Sequence, residues 1–349
     1  MNSGATQLHQ APRTAAKPLS RLGLAAVFGV FCATGLVSAQ AQTVSVADST
    51  GWIAWNSGLT GNFLSDPGAD QQTGQGTDDY IGNASTPAMM QQAGYLASDT
   101  GQTNKLIFFR ARMGKYSASG FGAGNGANLS LGIDLTNNGS LDLIMDLNVK
   151  GSVAKIEFAA PGTGANTGPS TTSWGNFFGA ITLDASTYDY RSATATDGIT
   201  LNSNGTSGVP TDQNGDTASS YAANAWVTFA ISYANLQNAI RLYATETGTD
   251  FSTYTLYEVS FLSFIGFTST QGNAINQDLL GTEGNTNSTM TFAELGVSTT
   301  YIRPGGDPVP EPAAVFQLGG LLGTGLLVWA WRRRKAGRAP ESAGTAASG

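Results

Sequence analysis

Short apolar or alternating runs recur along residues 42–302, separated by polar, Gly-rich turns. Residues 105–113 (KLIFFRARM) start as a continuous apolar run, then set Phe109, Ala111 and Met113 against Arg110 and Arg112. Residues 127–135 and 141–149 read as two strands around a tight turn, with a third at 153–159 after Lys150 and Gly151. Residues 225–233 (AWVTFAISY) and 255–268 (TLYEVSFLSFIGFT) are the strongest later strands; 43–47 is a weak one, and 289–292 would close the sheet. Two stretches read as short helices instead: residues 91–96, after Met89 and Met90, and residues 233–245, where Leu236, Ile240, Tyr243 and Ala244 fall near helical spacing. Residues 160–225 are poorest in apolar side chains and read as long loops with one hairpin at 181–190. Many short strands with turn signals between them predict an all-β chain. The expected architecture is a single antiparallel β-sandwich or jelly-roll-like domain, with Gly/Ser/Thr/Asn-rich loops and one or two short helices.

The pattern changes at both ends. Near the C-terminus, Val309, Pro310, Glu311 and Pro312 precede residues 313–331, which carry no charge. Arg332, Arg333, Arg334 and Lys335 follow. That apolar run, at about 1.5 Å per residue, makes a helix of roughly 28 Å, enough to cross the hydrocarbon core of a bilayer. The basic cluster behind it is the expected cytoplasmic stop. At the N-terminus, Arg13, Lys17 and Arg21 lead into the apolar residues 22–37, and Ala39, Gln40 and Ala41 make an A-x-A cleavage site. No adjacent Arg pair precedes the apolar run, which favours the general secretory route. Phe31 before Cys32 does not fit a lipoprotein. The expected division is therefore a secretory signal peptide at 1–41, a sandwich-like surface domain at 42–302, and a linker with the Pro-Glu-Pro motif at 303–312. A transmembrane helix at 313–331 and a basic cytoplasmic tail at 332–349 complete it.

Pro-Glu-Pro, a single apolar span and an Arg-rich end, in this order and spacing, resemble the PEP-CTERM sorting signal of bacterial proteins processed by exosortase. The resemblance covers residues 309–335. It implies a Gram-negative bacterium that makes exopolysaccharide, and a processing protease of the exosortase type that cuts near Pro310, Glu311 and Pro312. It also implies a precursor held in the inner membrane by residues 313–331. The mature domain then reaches the cell surface or extracellular matrix.

Composition narrows the chemistry. The one Cys (Cys32) and the one His (His9) both lie in the segment expected to be removed. The mature chain then has no thiol or imidazole for Ser-His-Asp or Cys-His catalysis, for Cys/His zinc sites or for disulfides. From Gln42 to Glu311 there are nine Lys plus Arg and twenty-three Asp plus Glu, a net charge of 9 − 23 = −14. So acidic a domain repels nucleic acid and attracts divalent cations.

The densest oxygen-bearing motif is Asp134, Thr136, Asn138, Ser140 and Asp142, with Gly139 at its sixth position. That is the front of a calcium loop, in which alternate side chains point at one cation. Met145 stands where an EF-hand has its bidentate Glu, so the motif is not an EF-hand. The same residues also fit a hairpin turn at Asn137, Asn138 and Gly139 with Asp caps on the backbone. Asp212, Asn214 and Asp216 repeat the flavour with fewer ligands. Asp66, Asp70, Asp78 and Asp79 make an acidic patch in a Gly/Gln-rich stretch, which also fits a solvated loop. As a catalytic pair, Asp142 and Asp146 fail if both lie on one strand, about 13 Å apart at roughly 3.3 Å per residue. Inverting glycosidases need roughly 6.5–9.5 Å.

Residues 268–281, rich in amides and hydroxyls up to Asp278 and Gly281, resemble a segment of exosortase-sorted surface proteins. They fit either a sugar- or ion-binding loop or a self-satisfied one. Trp174, beside Phe177 and Phe178, fits an exposed sugar platform, whereas Trp226 in its strand fits the core.

The expected function is a structural or adhesive role without catalysis, with exopolysaccharide as a candidate partner. A calcium-assisted carbohydrate-binding module is the first alternative. A carboxylate-dependent polysaccharide-active enzyme is the second.

Overall fold

The computed structural model describes residues 42–299, apart from 50, 61–63, 69, 73–75, 83–86, 123–125, 194–223, 257–261, 271–274 and 283–288. The signal peptide with Ala39 and Ala41, the Asp212–Asp216 turn, the sorting signal from Val309 and the span 313–331 all lie outside the described residues. Among the described residues, no helix is long and apolar enough to cross a membrane.

The chain is mostly β. Its strands are β1 Ile53–Ala54, β2 Met89–Gly94, β3 Leu106–Met113, β4 Asn128–Asp134, β5 Leu143–Asn148 and β6 Lys155–Pro161. They continue with β7 Trp174–Thr182, β8 Tyr188–Ser192, β9 Ala225–Ser232, β10 Ser263–Ser269 and β11 Asp278–Leu279. Two antiparallel sheets result, ordered β1-β2-β3-β9-β8 and β11-β10-β4-β5-β6-β7. Side chains alternate across each strand, so every strand offers one face to a partner sheet. Ile107, Phe109, Ala111 and Met113 of β3 and Val227, Phe229 and Ile231 of β9 join one hydrophobic cluster. Leu129, Leu131 and Ile133 of β4, Met145 of β5 and Phe264 of β10 join the same cluster from the other sheet.

The strand predictions at 105–113, 127–135, 141–149, 153–159 and 225–233 correspond to β3, β4, β5, β6 and β9. The helix predicted at 233–245 is α1, Tyr233–Thr247. Ser232 caps it by accepting from the Asn235 N–H, and Gly248 ends it at φ +68°. Leu236, Ala239, Ile240 and Tyr243 turn into the shared cluster.

Five expectations fail. Residues 160–225 are not long loops throughout, because β7 and β8 run inside them as members of the two sheets. Residues 91–96 form no helix: Met89–Gly94 is a strand paired to β1 on one side and β3 on the other. Met, Gln and Ala favour helices, but six residues of propensity are outweighed by hydrogen bonds along both edges. Residues 289–292 do not close a sheet. Thr291 and Glu294 make a reciprocal capping box that starts the short helix α2, Phe292–Leu295, and Gly296 stops it at φ +72°. Residues 181–190 are not a hairpin, because β7 pairs with β6 while β8 pairs with β9 in the other sheet. The turn at Asp184 is a corner between sheets. Trp174 is no platform: it is buried edge-on to Phe267 and Phe177. Trp226 is buried, as its strand position implies.

All eight residues of β3 are buried, including Arg110 and Arg112. Their face of the sheet is covered by residues 42–48. Thr43 bridges to Tyr95, and Val44 and Val46 pack on Leu106, Phe108 and Ala230. This chain passes so close to β2 that a Cβ on Gly94 would strike the Gln42 carbonyl. Arg110 holds the strap. Its guanidinium donates to the carbonyls of Val46 (2.6 Å) and Asp48 (2.7 Å) and, through Nε, to Thr228 Oγ1 (3.0 Å). It also lies 3.9 Å from the Trp52 ring centre. Arg112 donates to Asn224 Oδ1 at 2.8 Å, and burial lowers its pKa to about 9.

Arg110→Met should leave two strap carbonyls without donors and cost about 3 kcal/mol. Urea denaturation would read that loss. Hydrogen exchange should quicken at the Val44 and Tyr95 amides; unchanged exchange there would show that the strap holds without the guanidinium.

Candidate metal centre

Two groups of carboxylates stand out, one expected from sequence and one not. The expected group runs from Asp134, the last residue of β4, through residues 135–142, the loop joining β4 to β5. The ladder ends at Ile133 opposite Leu143. Asn137 (φ +55°) and Gly139 (φ +82°) supply the left-handed residues that the turn needs. Asp134 is buried under the loop. Its Oδ1 accepts from the Thr136 N–H (3.0 Å) and Asn138 N–H (3.2 Å), and its Oδ2 from the Gly139 N–H (2.7 Å). Asp142 Oδ2 accepts from the Leu135 N–H at 2.8 Å, and Asn138 Oδ1 from the Ser140 N–H at 2.8 Å. Ser140 Oγ donates to the Ala165 carbonyl. These bonds make a capped turn, and a cation at Asp134, Thr136, Asn138, Ser140 and Asp142 would compete with backbone donors for the same oxygens. A cavity of about 180 Å³ opens beside the loop, lined by Asp134, Asn137, Gly139, Ile265 and Phe292 among others.

Asp142 and Asp146 serve separate networks. Asp142 precedes β5 and faces the loop, while Asp146 lies within β5, fully buried. Asp146 accepts from Asn128 Nδ2 and Ser130 Oγ of β4, both at 2.6 Å. Burial pushes the Asp146 carboxyl up to about 7 and the Asp142 carboxyl up to about 6, partly offset by their hydrogen bonds.

The second group is formed by Asp66, Asp70, Asp79 and Asp278, all buried, with one carboxylate oxygen from each within 4.8 Å of the others. Residues 64–82 deliver three of them. Asp66 and Gly82 bridge, and the Ile81 N–H donates to the Arg112 carbonyl beside Tyr80, which bridges to Met113 at the end of β3. The fourth comes from the other sheet, where Asp278 of β11 pairs with Thr268 of β10. The bonds cross reciprocally. Asp66 Oδ2 accepts from the Gly281 N–H, and Asp278 Oδ2 from the Tyr80 N–H, each at 2.6 Å. Thr268 Oγ1 adds a bond to the Asp78 carbonyl. Asp66 and Asp278 are held far above the usual carboxylate range, first by burial and then by neighbouring aspartates. Burial, then Asp278 and Asp66, also raise the Tyr80 phenol.

Along the sequence Asp66, Asp70 and Asp79 form one acidic patch and Asp278 belongs to the amide-rich segment, with no local pattern that joins the two. The available signal was local: Asp79 runs directly into Tyr80 and Ile81, an apolar pair that carries the acidic stretch inward.

The PEP-CTERM protein-sorting motif matches residues 308–335. It implies an exported, membrane-passing precursor processed by exosortase, and so an extracellular protein. No curated protein and no solved structure matches the chain.

With calcium chelated, Asp134→Ala should cost about 2 kcal/mol in urea denaturation, because three loop amides lose their acceptor. A loss of a few tenths would mean that water replaces the cap. Asp146 sets a pH dependence. Its folded pKa exceeds the unfolded value near ~3.9, so the folded state holds the extra proton. The stability this contributes is complete below about pH 4 and is lost as pH rises through about 7. Asp146→Asn should flatten the fall in urea midpoint across that window, whereas parallel curves would remove Asp146 as its source.

Proposed function

We propose that residues 42–302 form a β-sandwich domain with a structural or adhesive role at the cell surface or in the extracellular matrix of a Gram-negative, exopolysaccharide-making bacterium. The sorting motif at 308–335 is the observation that carries this reading. The precursor is held in the inner membrane by residues 313–331 and released from that anchor by exosortase cutting near Pro310, Glu311 and Pro312. Two sheets feeding one hydrophobic cluster support the sandwich. Catalysis is not part of the proposal: a mature chain from Gln42 carries no His or Cys, which removes the usual nucleophile–base pairs.

Calcium-assisted carbohydrate binding is the second reading. The cavity beside the Asp134–Asp142 loop favours it, being concave and joined to a motif rich in oxygen ligands.

Fractionation of cells carrying the tagged chain tests the sorting step. The wild-type chain should appear outside the inner membrane in a shortened form. Replacing Pro310, Glu311 and Pro312 by Ala, or deleting the exosortase, should leave the longer form in the membrane fraction. Equal size and distribution in all three strains would defeat the proposal. Co-purification of the released form with exopolysaccharide, lost on chelation, would move the second reading ahead.

A further inference from the structure

The buried carboxylates at the β10–β11 edge lie outside the sorting motif at 308–335, and their arrangement has its own chemistry. Four ionised carboxylates in a dry pocket repel one another, and removing each from water costs several kcal/mol. Such a group is stable only with protons or a cation among its oxygens. Two further observations choose between these. Asp66 Oδ1 and Asp278 Oδ1 are both buried and accept no hydrogen bond among the described residues. In each case the other oxygen is fixed by a backbone N–H, so the carboxylate cannot rotate to share the load. Independently, the Tyr80 hydroxyl is fully buried and without a partner among the described residues, and it lies at the Gly266–Leu280 contact, where β10 meets the end of the strand that carries Asp278. Buried carboxylate oxygens without a donor need an electropositive centre, and the Tyr80 hydroxyl has a lone pair to offer the same centre.

We propose that Asp66, Asp70, Asp79 and Asp278 hold one divalent cation of the calcium class, which fastens residues 64–82 to the β10–β11 edge. The donor set is oxygen only, which suits a hard cation rather than zinc or copper. The spread also fits. Ligands on opposite sides of calcium, at 2.3–2.6 Å each, stand up to about 5 Å apart, against about 4.2 Å for magnesium. The four oxygens lie within 4.8 Å of one another. The Tyr80 hydroxyl, the Asp78 side chain or water would complete the shell. This site is separate from the Asp134–Asp142 loop and does not depend on the proposed surface role.

The test uses the full chain, purified in detergent and stripped with EDTA. Calcium chloride titrated calorimetrically should bind at one ion per chain and raise the melting temperature. Terbium should bind the same site and luminesce through Tyr80. Asp278→Asn and Asp70→Asn should each weaken calcium binding at least tenfold, and Asp134→Ala should leave it unchanged. The two isosteric variants guard against one failing to fold, with circular dichroism as the check. Four outcomes overturn the proposal. They are no calcium binding by the wild-type chain, binding of magnesium in preference to calcium, calcium binding abolished by Asp134→Ala, and undiminished binding in both folded aspartate variants. The first would leave shared protons as what stabilises the cluster.

Discussion

Phe264 is the contact on which the two sheets depend. Its ring, from β10, stacks on Trp55 at 5.3 Å and meets Phe109 of β3 at 5.5 Å, and Phe109 in turn meets Phe229 of β9 at 5.4 Å. These four rings link the two sheets through a single aromatic group. Aromatic pairs at such distances contribute beyond the area they bury. The rest of the molecule is arranged around that join. Because β3 is covered on one face by it and on the other by residues 42–48, its arginines have no route to water and must be satisfied internally.

The same constraint explains the chemistry at the margin. Where β10 passes beyond Phe264, the join narrows to Gly266, where a Cβ would stand 2.9 Å from Leu280 and 3.3 Å from the Tyr80 hydroxyl. Carboxylates placed next to so dry an edge cannot behave as surface aspartates. Asp66 and Asp278 become acceptors of two specific backbone amides, and burial with neighbouring charge holds both carboxyls far above their usual range. The Asp134 loop shows the contrasting case. It sits at a strand end with solvent nearby, and its carboxylate is occupied by the amides of its own turn.

Much of the strand content was legible, because the runs at 105–113 and 225–233 are too apolar and too β-branched or aromatic to lie anywhere but inside a sheet. α1 was legible for the opposite reason, since Leu236, Ile240 and Tyr243 repeat at the helical interval. Most of what failed is decided by a distant partner. Gln91 and Gln92 look helical and exposed, but Gln91 accepts from the Trp55 indole at 3.2 Å and both side chains are buried. Trp174 sits in a polar loop of sequence yet meets Phe267, which no local pattern could indicate. The capping box at Thr291 and Glu294 was local and was outvoted by strand-like neighbours. For the acidic cluster, three aspartates among Gly and Gln carry the signature of a solvated loop. Only the register of β11 against β10 shows that Asp278 completes them.

The bonds at that cluster join residues 198 and 215 positions apart. Contacts so remote in sequence close late, after shorter loops have formed. A secreted chain enters its destination N-terminus first, so residues 64–82 arrive long before Gly281 does. Until then, Asp66 has no amide from Gly281 and Tyr80 has no carboxylate from Asp278. The edge of the fold is thus a closing seam. It can be sealed only when nearly the whole domain has crossed, and a truncated chain would carry its unsealed half exposed.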